Sequence, residues 1–280
     1  MSFLREKIGM TKNIFKFSEQ PRFENPSLIV GWNEDAGKLS PKVIEYLNRK
    51  IKSRSFSVIE PAGFFSLGAV AIEDNVAQFP EGRFYYSEEN NLVIFKGSEP
   101  RFERYRFLNA ILDVAEHYCK AKELFTINGT ISPVAHTNPR RVLTIFNQEA
   151  FQKKLRGYGL EDMNWEGPPA ISSYLLWVAK TRGISGLSLW TEIPFYLAAG
   201  EDFQAIKLIL SFFDKRFNLG LDLKELDEQI GEQNRKIAWL RDDDPEINKY
   251  IGMLESGLSI SEEEQVELIK GIAELFKKEG

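Results

Sequence analysis

The run Leu28-Ile29-Val30-Gly31-Trp32 is followed by the polar loop Asn33-Glu34-Asp35-Ala36-Gly37-Lys38-Leu39 and then by Ser40-Pro41. The apolar run predicts a short buried strand. Ser40 at the N-cap and Pro41 at the first helical position predict that a helix begins here. The apolar residues that follow at helical spacing are Val43, Ile44, Leu47 and Ile51. The stretch is therefore a strand, a loop and a helix, as in an α/β fold.

Short apolar strands continue to alternate with longer helices along the chain. Strands are predicted at 55–60, 123–128, 142–146 and 187–190, and a hairpin at 79–86 and 92–95. Helices are predicted at 101–120, 148–155 and 202–218, and another is expected to begin at Pro168-Pro169. This alternation predicts an α/β fold, with a mostly parallel sheet covered by helices on both faces.

The pattern changes after position 220 and becomes helical throughout. The residues near an a/d pattern are Leu223, Leu226, Ile230, Ile237 and Leu240. Asp244-Pro245 begins a further helix, and Ser261 with Glu264 forms a capping box for a last one. The last helix is expected to turn Val266, Ile269, Ile272, Ala273 and Phe276 inward. The chain is therefore expected to hold an α/β domain over 1–220 and a helical annex over 221–280.

The composition excludes several classes of protein. The 280 residues include 36 basic and 41 acidic side chains, so the net charge of −5 argues against sequence-independent nucleic-acid binding. One cysteine and two histidines give no disulfide and no basis for a structural zinc site. No apolar run reaches the length of a membrane span, and no signal peptide is evident. We expect a cytoplasmic protein without metal or cofactor.

The loop from Gly31 to Ser40 resembles a phosphate-binding loop only superficially. Five residues separate Gly31 from Gly37, and Leu39 occupies the position of the required Ser or Thr. Nucleotide binding of that kind is therefore excluded. Two interpretations stay open. The loop is either a turn before a capped helix, or it presents Asp35 to a ligand crevice at the carboxyl end of the sheet.

The segment 128–141 also follows a predicted strand and is rich in polar groups. It contains Ser132, His136, Thr137 and Arg140, which together offer a hydroxyl, an imidazole and a fixed cation. The spacing of Ser132 and His136 does not imply a nucleophile and its base. The alternative is that His136 and Thr137 only satisfy backbone groups in an ordered loop.

Glu166 and Glu192 each lie near the predicted start of a helix. They would serve as acid and base if they face each other, or they are there because carboxylates stabilise helix N-termini. If the three loops converge, the candidate ligand site consists of Asp35, His136, Thr137, Arg140, Glu166 and Glu192. Such a set suits a polar, partly cationic or sugar-like ligand.

Several short segments, in this order, resemble the proteasome assembly chaperone family of the second-subunit type. They are Leu28-Ile29-Val30-Gly31-Trp32 with Asp35-Ala36-Gly37, the segment 133–139 with His136-Thr137, Tyr158-Gly159-Leu160, Glu166-Gly167-Pro168, and Ser188-Leu189-Trp190 leading to Pro194-Phe195-Tyr196-Leu197. The resemblance implies a three-layer α/β/α sandwich like that of nucleoside phosphorylases and related hydrolases, with a C-terminal helical extension. It also implies homo-oligomers of undefined activity, some of which guide proteasome ring assembly.

Two hypotheses about function follow. The first is a non-enzymatic binding or assembly protein, which fits the absence of a recognisable nucleophile, metal or phosphate motif. The alternative is a phosphorylase- or hydrolase-like enzyme acting on a small polar substrate through the loops around Asp35, His136 and Glu166. In either case the aromatic residues of the hairpin 79–95 predict a homo-oligomer, with this hairpin or the C-terminal helices at the interface, and a protein partner is possible.

Overall fold

The computed structural model describes residues 14–66, 71–73, 76–164, 166 and 170–277. The strands are β1 (Phe15–Phe17), β2 (Ser27–Trp32), β3 (Arg54–Ile59), β4 (Ala71–Glu73), β5 (Val76–Gln78), β6 (Gly82–Ser87), β7 (Leu92–Gly97), β8 (Glu123–Ser132), β9 (Val142–Phe146), β10 (Glu161–Asp162) and β11 (Ser185–Pro194). The helices are α1 (Leu39–Lys50), α2 (Arg104–Asp113), α3 (Glu149–Leu155), α4 (Ile171–Thr181), α5 (Phe203–Phe217), α6 (Lys224–Asp243), α7 (Pro245–Glu255) and α8 (Glu262–Lys277). The helix start predicted at Pro168-Pro169 lies outside the described residues.

The main sheet has the strand order β1-β3-β6-β7-β2-β8-β11-β9-β10, while β4 and β5 pair with each other. Its centre is parallel, because β2 pairs with β7 and β8, and β8 pairs with β11. The expectation of a mostly parallel sheet is wrong, since β1, β3 and β6 are added antiparallel on one side and β9 on the other. A tight hairpin joins β6 to β7, and tight hairpins can only make antiparallel pairs.

The sheet is buried on both faces, as the α/β prediction requires. Leu28, Val30 and Trp32 of β2 pack in a core with α2 and α4. Ile29, between them, packs in a second core with α1 and α5. Successive strand residues point to opposite faces, so one apolar run supplies both cores.

Helix α1 begins differently from the prediction. It starts at Leu39, and the residue before it, Lys38, is left-handed (φ 47°) with no capping side chain. Ser40 is therefore inside the helix, and its buried hydroxyl has no hydrogen-bond partner among the described atoms. Asp35 takes over the capping role, because its carboxylate accepts the Ser40 amide at 2.9 Å.

Two strands are longer than their apolar runs. β8 and β11 pair residue by residue from Glu123↔Ser185 to Ser132↔Pro194. The prediction that β8 ends at Gly129 is therefore wrong, and Glu192 lies within a strand rather than at a helix start. Polar residues at the strand ends removed the hydrophobic signal, while backbone pairing between the two strands continues.

The C-terminal helices form a third core against the loops that leave the sheet. Ala135, Tyr196 and Leu197 pack there against Ile237, Ile251, Leu254, Leu268 and Ile272. The capping box is confirmed by the reciprocal bonds between Ser261 and Glu264. Val266 and Ile269 are exposed rather than inward, and Leu268 takes the buried position. No helix within the described ranges is long and apolar enough to cross a membrane.

Candidate functional site

The carboxyl ends of β2, β8 and β11 lie side by side, as expected for parallel neighbours. The last described β2–β8 pair is Gly31↔Ile127, so β8 and β11 project past the end of β2. The loop from Asn33 to Lys38 lies beside the part of β8 that extends past the end of β2. It is held by the Gly37 amide, which donates to Ala198 O at 2.9 Å, and by the Asp202 amide, which donates to Gly37 O at 3.2 Å.

Asp35 organises the loop after β2. Its carboxylate accepts the amides of Ala36 (3.0 Å), Ser40 (2.9 Å) and Gly129 (2.8 Å), and the last bond joins the loop to β8. Gly129 is required there, because a Cβ would lie 2.6 Å from Ala36 O. Burial raises the pKa of Asp35 to about 6, although the three amides favour the charged form. The side chain is thus occupied by the backbone around it.

Arg140 is buried in an ion pair with Asp202. Its Nε donates to Asp202 Oδ2 at 3.0 Å, and the two side chains are 1% and 0% exposed. The remaining donors bind the carbonyls of Ala135, His136 and Asn138. Asp202 in turn caps α5 by accepting the Ala205 amide at 3.1 Å. Every nitrogen of the guanidinium therefore binds this chain itself.

His136 is buried against Tyr196. The His136 amide donates to the Tyr196 Oη at 2.6 Å, and His136 Nδ1 lies 2.9 Å from the same oxygen. Both polar groups of His136 that face Tyr196 are therefore within hydrogen-bond distance of the same phenolic oxygen. Burial, with the nearby charges of Arg140 and Arg241, lowers the pKa of His136 to about 4. The ring is neutral at neutral pH.

Thr137 connects the same segment to the C-terminal helices. Its hydroxyl donates to Glu255 Oε1 at 2.9 Å. Arg241 binds both oxygens of that carboxylate, at 2.7 and 3.1 Å. This hydrogen bonding lowers the pKa of Glu255, so the carboxylate stays charged. The contact fixes α6 and α7 over the end of the sheet.

Glu192 and Glu166 are not brought together. Glu192 binds Arg141 at 2.7 and 2.9 Å and accepts the Ser132 hydroxyl at 3.2 Å. The bond to Arg141 lowers the pKa of Glu192, which makes this carboxylate a weak base. Glu166 is exposed and has no described contact with the other five.

The structure thus places Asp35, His136, Thr137 and Arg140 in one connected network, with Glu192 beside it. Two grooves, of about 280 and 670 Å³, lie next to α6, and none of the six candidate residues lines either of them. Within the described residues, no cluster of three or more His, Cys, Asp or Glu side chains could hold a metal ion. Binding of a ligand by the six candidates stays a prediction.

Asp202, Tyr196 and Glu255 complete this network, and no sequence motif predicts a role for them in it. Asp202 carries a readable signal, because it precedes an amphipathic helix as an N-cap residue does. Tyr196 lies directly after β11 but nothing local marks it as a partner of His136, 60 positions away. The spacing of residues along the chain does not predict long-range contacts of this kind.

A separate feature lies on the α2 and α4 surface of the sheet. Four large aromatic side chains are exposed there: Phe102, Tyr105, Tyr174 and Trp177. The Tyr105 and Trp177 rings meet across the two helices with centroids 6.2 Å apart. Tyr174 lies one turn before Trp177 on α4, on the same face. We call these four residues the aromatic patch.

Comparison with solved structures shows the same fold in several proteins. A Corynebacterium glutamicum protein of unknown function matches with a TM-score of 0.75 and 19% identity, over 88% of this chain and 97% of that one. The Pyrococcus furiosus archaeal proteasome activator PbaB matches with a TM-score of 0.68 and 24% identity, over 83% and 100%. A Mycobacterium tuberculosis proteasome-assembly chaperone homologue matches with a TM-score of 0.69 and 18% identity, over 80% and 99%.

No curated protein matches this chain in sequence. The family model of the PAC2 family, in contrast, matches residues 28–240. That range begins at the first residue of the apolar run quoted above, takes in the network residues from Asp35 to Asp202 and reaches Leu240 in α6, one residue before Arg241. It covers well over half of the chain and confirms the resemblance read from the sequence: the chain belongs to the PAC2 family.

Proposed function

We propose that this PAC2 family member is a non-enzymatic binding or assembly protein that acts as a homo-oligomer in the cytoplasm and docks a protein partner. The observation that carries the proposal is the aromatic patch. The solved relatives described as a proteasome activator and as an assembly chaperone homologue support an assembly role for this fold.

The size of the aromatic patch suits the centre of a protein interface. Half-exposed aromatic side chains each leave roughly 100 Å² in water, so four of them present about 400 Å² of apolar surface. A stable interface buries about 800 Å² on each partner, with an aromatic centre and a polar rim. Arg101 and Arg104 are exposed beside Phe102 and Tyr105 and would belong to such a rim.

The polar network gives the enzyme hypothesis little support. Arg140 is bound to Asp202, and Asp35 is bound to three backbone amides. The Ser132 hydroxyl donates to Glu192, but Arg141 lowers the pKa of that carboxylate and makes it a weak base. These contacts give the polar side chains a structural role, which is to hold the loops in place. An alternative acyl- or glycosyl-transfer role would need at least one of these groups free to reach a substrate.

Light scattering coupled to gel filtration tests the proposal. The unmodified protein is expected to have a mass that is a multiple of 32.2 kDa. The double variant Tyr105→Ser/Trp177→Ser should dissociate toward the monomer, because aromatic anchors at an interface centre each contribute about 2 kcal/mol or more. The matched control is Trp239→Ser, which removes an exposed tryptophan of α6 outside the aromatic patch.

Two results would contradict the proposal. One is a monomeric mass for the unmodified protein at every concentration. The other is an equal effect of Trp239→Ser and the double variant, since it would show that the aromatic patch has no special role in association.

A further inference from the structure

The larger of the two grooves lies between α6, α8 and the short 3-10 turn Phe195–Leu197 that follows β11. Its volume is about 670 Å³, within the roughly 300–1,000 Å³ typical of small-molecule sites. The larger apolar side chains that line it are Phe195, Leu197, Phe203, Ile269, Ile272 and Phe276, and Ala199 and Ala273 line it as well. The groove is separate from the aromatic patch and includes none of the six candidate site residues.

Two carboxylates on the described rim of this groove each form an ion pair with a neighbouring lysine. Glu201 lies 3.0 Å from the ammonium group of Lys42. Glu232 lies 2.8 Å from the ammonium group of Lys236, one helical turn away on α6. Each of these carboxylates thus has a lysine partner other than Lys38 and Lys277, so a further positive charge on the rim is additional to these pairs.

Lys38 and Lys277 supply that further positive charge. Both are exposed and both line the groove. Within the described part of the chain, neither has an ion pair at 4.0 Å or less. The described rim of this groove therefore carries two lysines without an ion pair, in a protein whose net charge is −5.

We propose that this groove binds an alkyl carboxylate, with the chain against Ile272 and Phe276 and the carboxylate at Lys38. An apolar chain gains free energy in proportion to the surface it removes from water, and a carboxylate complements an unpaired ammonium group. An uncharged amphiphile lacks the second contribution, and a cationic one is repelled. This binding activity goes beyond the proposed assembly function and does not depend on it.

Isothermal titration calorimetry of the full chain with decanoate, below its micelle concentration, tests the site. Saturable binding with one ligand per chain is expected. Affinity should rise roughly fourfold for each methylene added between octanoate and decanoate. Decyltrimethylammonium, which has the same chain and the opposite charge, should bind at least about fivefold more weakly, because it loses the ion pair and is repelled by both lysines. Absent or non-saturable binding of decanoate, or equal binding of the cationic analogue, would overturn the proposal.

Variants locate the site within the chain. Lys38→Gln should weaken decanoate binding about twofold to fivefold, and Lys270→Gln, an exposed lysine of α8 outside the groove, should leave it unchanged. Ala273→Trp fills the groove and should abolish binding, with its melting curve as the check on folding. If Ala273→Trp does not fold, Phe276→Ser shortens the apolar wall instead and should weaken binding. Unchanged affinity in Lys38→Gln and in the folded wall variant would refute the assigned groove.

Discussion

At the scale of single residues, the fully buried ion pair between Arg140 and Asp202 constrains the loops at the end of the sheet. Removing one partner leaves an uncompensated buried charge, which typically costs about 3–5 kcal/mol. We therefore expect Arg140→Met to lower the free energy of unfolding by that amount in urea titrations. The matched control is Arg49→Met, which breaks the exposed pair with Glu225 and should cost about 0–1 kcal/mol. Equal losses in the two variants would contradict this account.

His136 and Asp35 make opposite contributions to the pH dependence of stability. The pKa of His136 is about 4 in the folded chain and 6.5 ordinarily, so the folded state binds fewer protons and loses stability as the pH falls from 6.5 toward 4. The pKa of Asp35 is about 6 in the folded chain and 3.8 ordinarily, so the folded state binds more protons and loses stability as the pH rises from 3.8 to 6. The two effects partly cancel between pH 4 and 6.

Single substitutions separate the two effects. Asp35→Asn removes the group that offsets acid destabilisation, so its free energy of unfolding should fall more steeply than the parent's between pH 6 and 4. His136→Gln removes the acid-sensitive group and should fall less steeply between pH 6.5 and 4. Denaturant titrations over a pH series measure both slopes. Profiles that run parallel to the parent's would show that neither side chain has the shifted pKa described above.

The sequence offered the convergence of six side chains as one of two outcomes, because loops leaving parallel strands meet at one edge of a sheet, and Glu166 stays apart from the other five. It did not predict what they bind. The partners of Arg140 and His136 are Asp202 and Tyr196, which reach them only after the chain has returned through α4 and β11. Contacts between such distant positions depend on how the elements pack, and a single sequence does not record that.

At the scale of elements, the C-terminal helices dock through a few buried side chains. Leu254 at the end of α7 is 1% exposed, whereas Leu258, four positions later, is 57% exposed. Leu254→Ala should therefore cost about 2–5 kcal/mol of stability, and Leu258→Ala less than about 0.5 kcal/mol. Thermal and urea unfolding of both variants measures the difference. Similar costs would mean that this core does not hold the helices to the sheet.

We also propose that the helices after position 220 fold only on the sheet, as the predicted division at 220 and 221 implies. Short isolated helices are marginally stable in water. Truncation after Gly220 should expose the core residues beneath Leu226 and lead to aggregation, which light scattering detects. A truncated chain that stays soluble with an unchanged melting transition would contradict this.

The elements themselves were predictable to different degrees. Strand β2 and its burial on both faces could be predicted, because a strand that is buried on both faces consists of consecutive apolar residues. The full length of β8 and β11 could not be predicted, because Thr130, Thr191 and Glu192 interrupt the apolar pattern while backbone pairing continues. The start of α1 was misplaced because Asp35, five residues before Ser40, supplies the cap instead of the local serine.

At the scale of the whole molecule, the C-terminal helices cover the polar end of the sheet, whereas the aromatic patch on α2 and α4 is exposed. The chain belongs to the PAC2 family, and its fold is shared by a protein of unknown function, a proteasome activator and a proteasome-assembly chaperone homologue. The central claim is therefore that the aromatic patch is buried when copies of this chain associate.

Hydroxyl-radical footprinting at two protein concentrations tests that claim most directly. Trp177 in the aromatic patch and Trp239 outside it are 55% and 67% exposed in the single chain, so they provide a matched pair. We predict that oxidation of Trp177 and Tyr105 slows markedly in concentrated protein, while oxidation of Trp239 does not change. Oxidation of Trp177 at the same rate in dilute and concentrated protein would contradict the account.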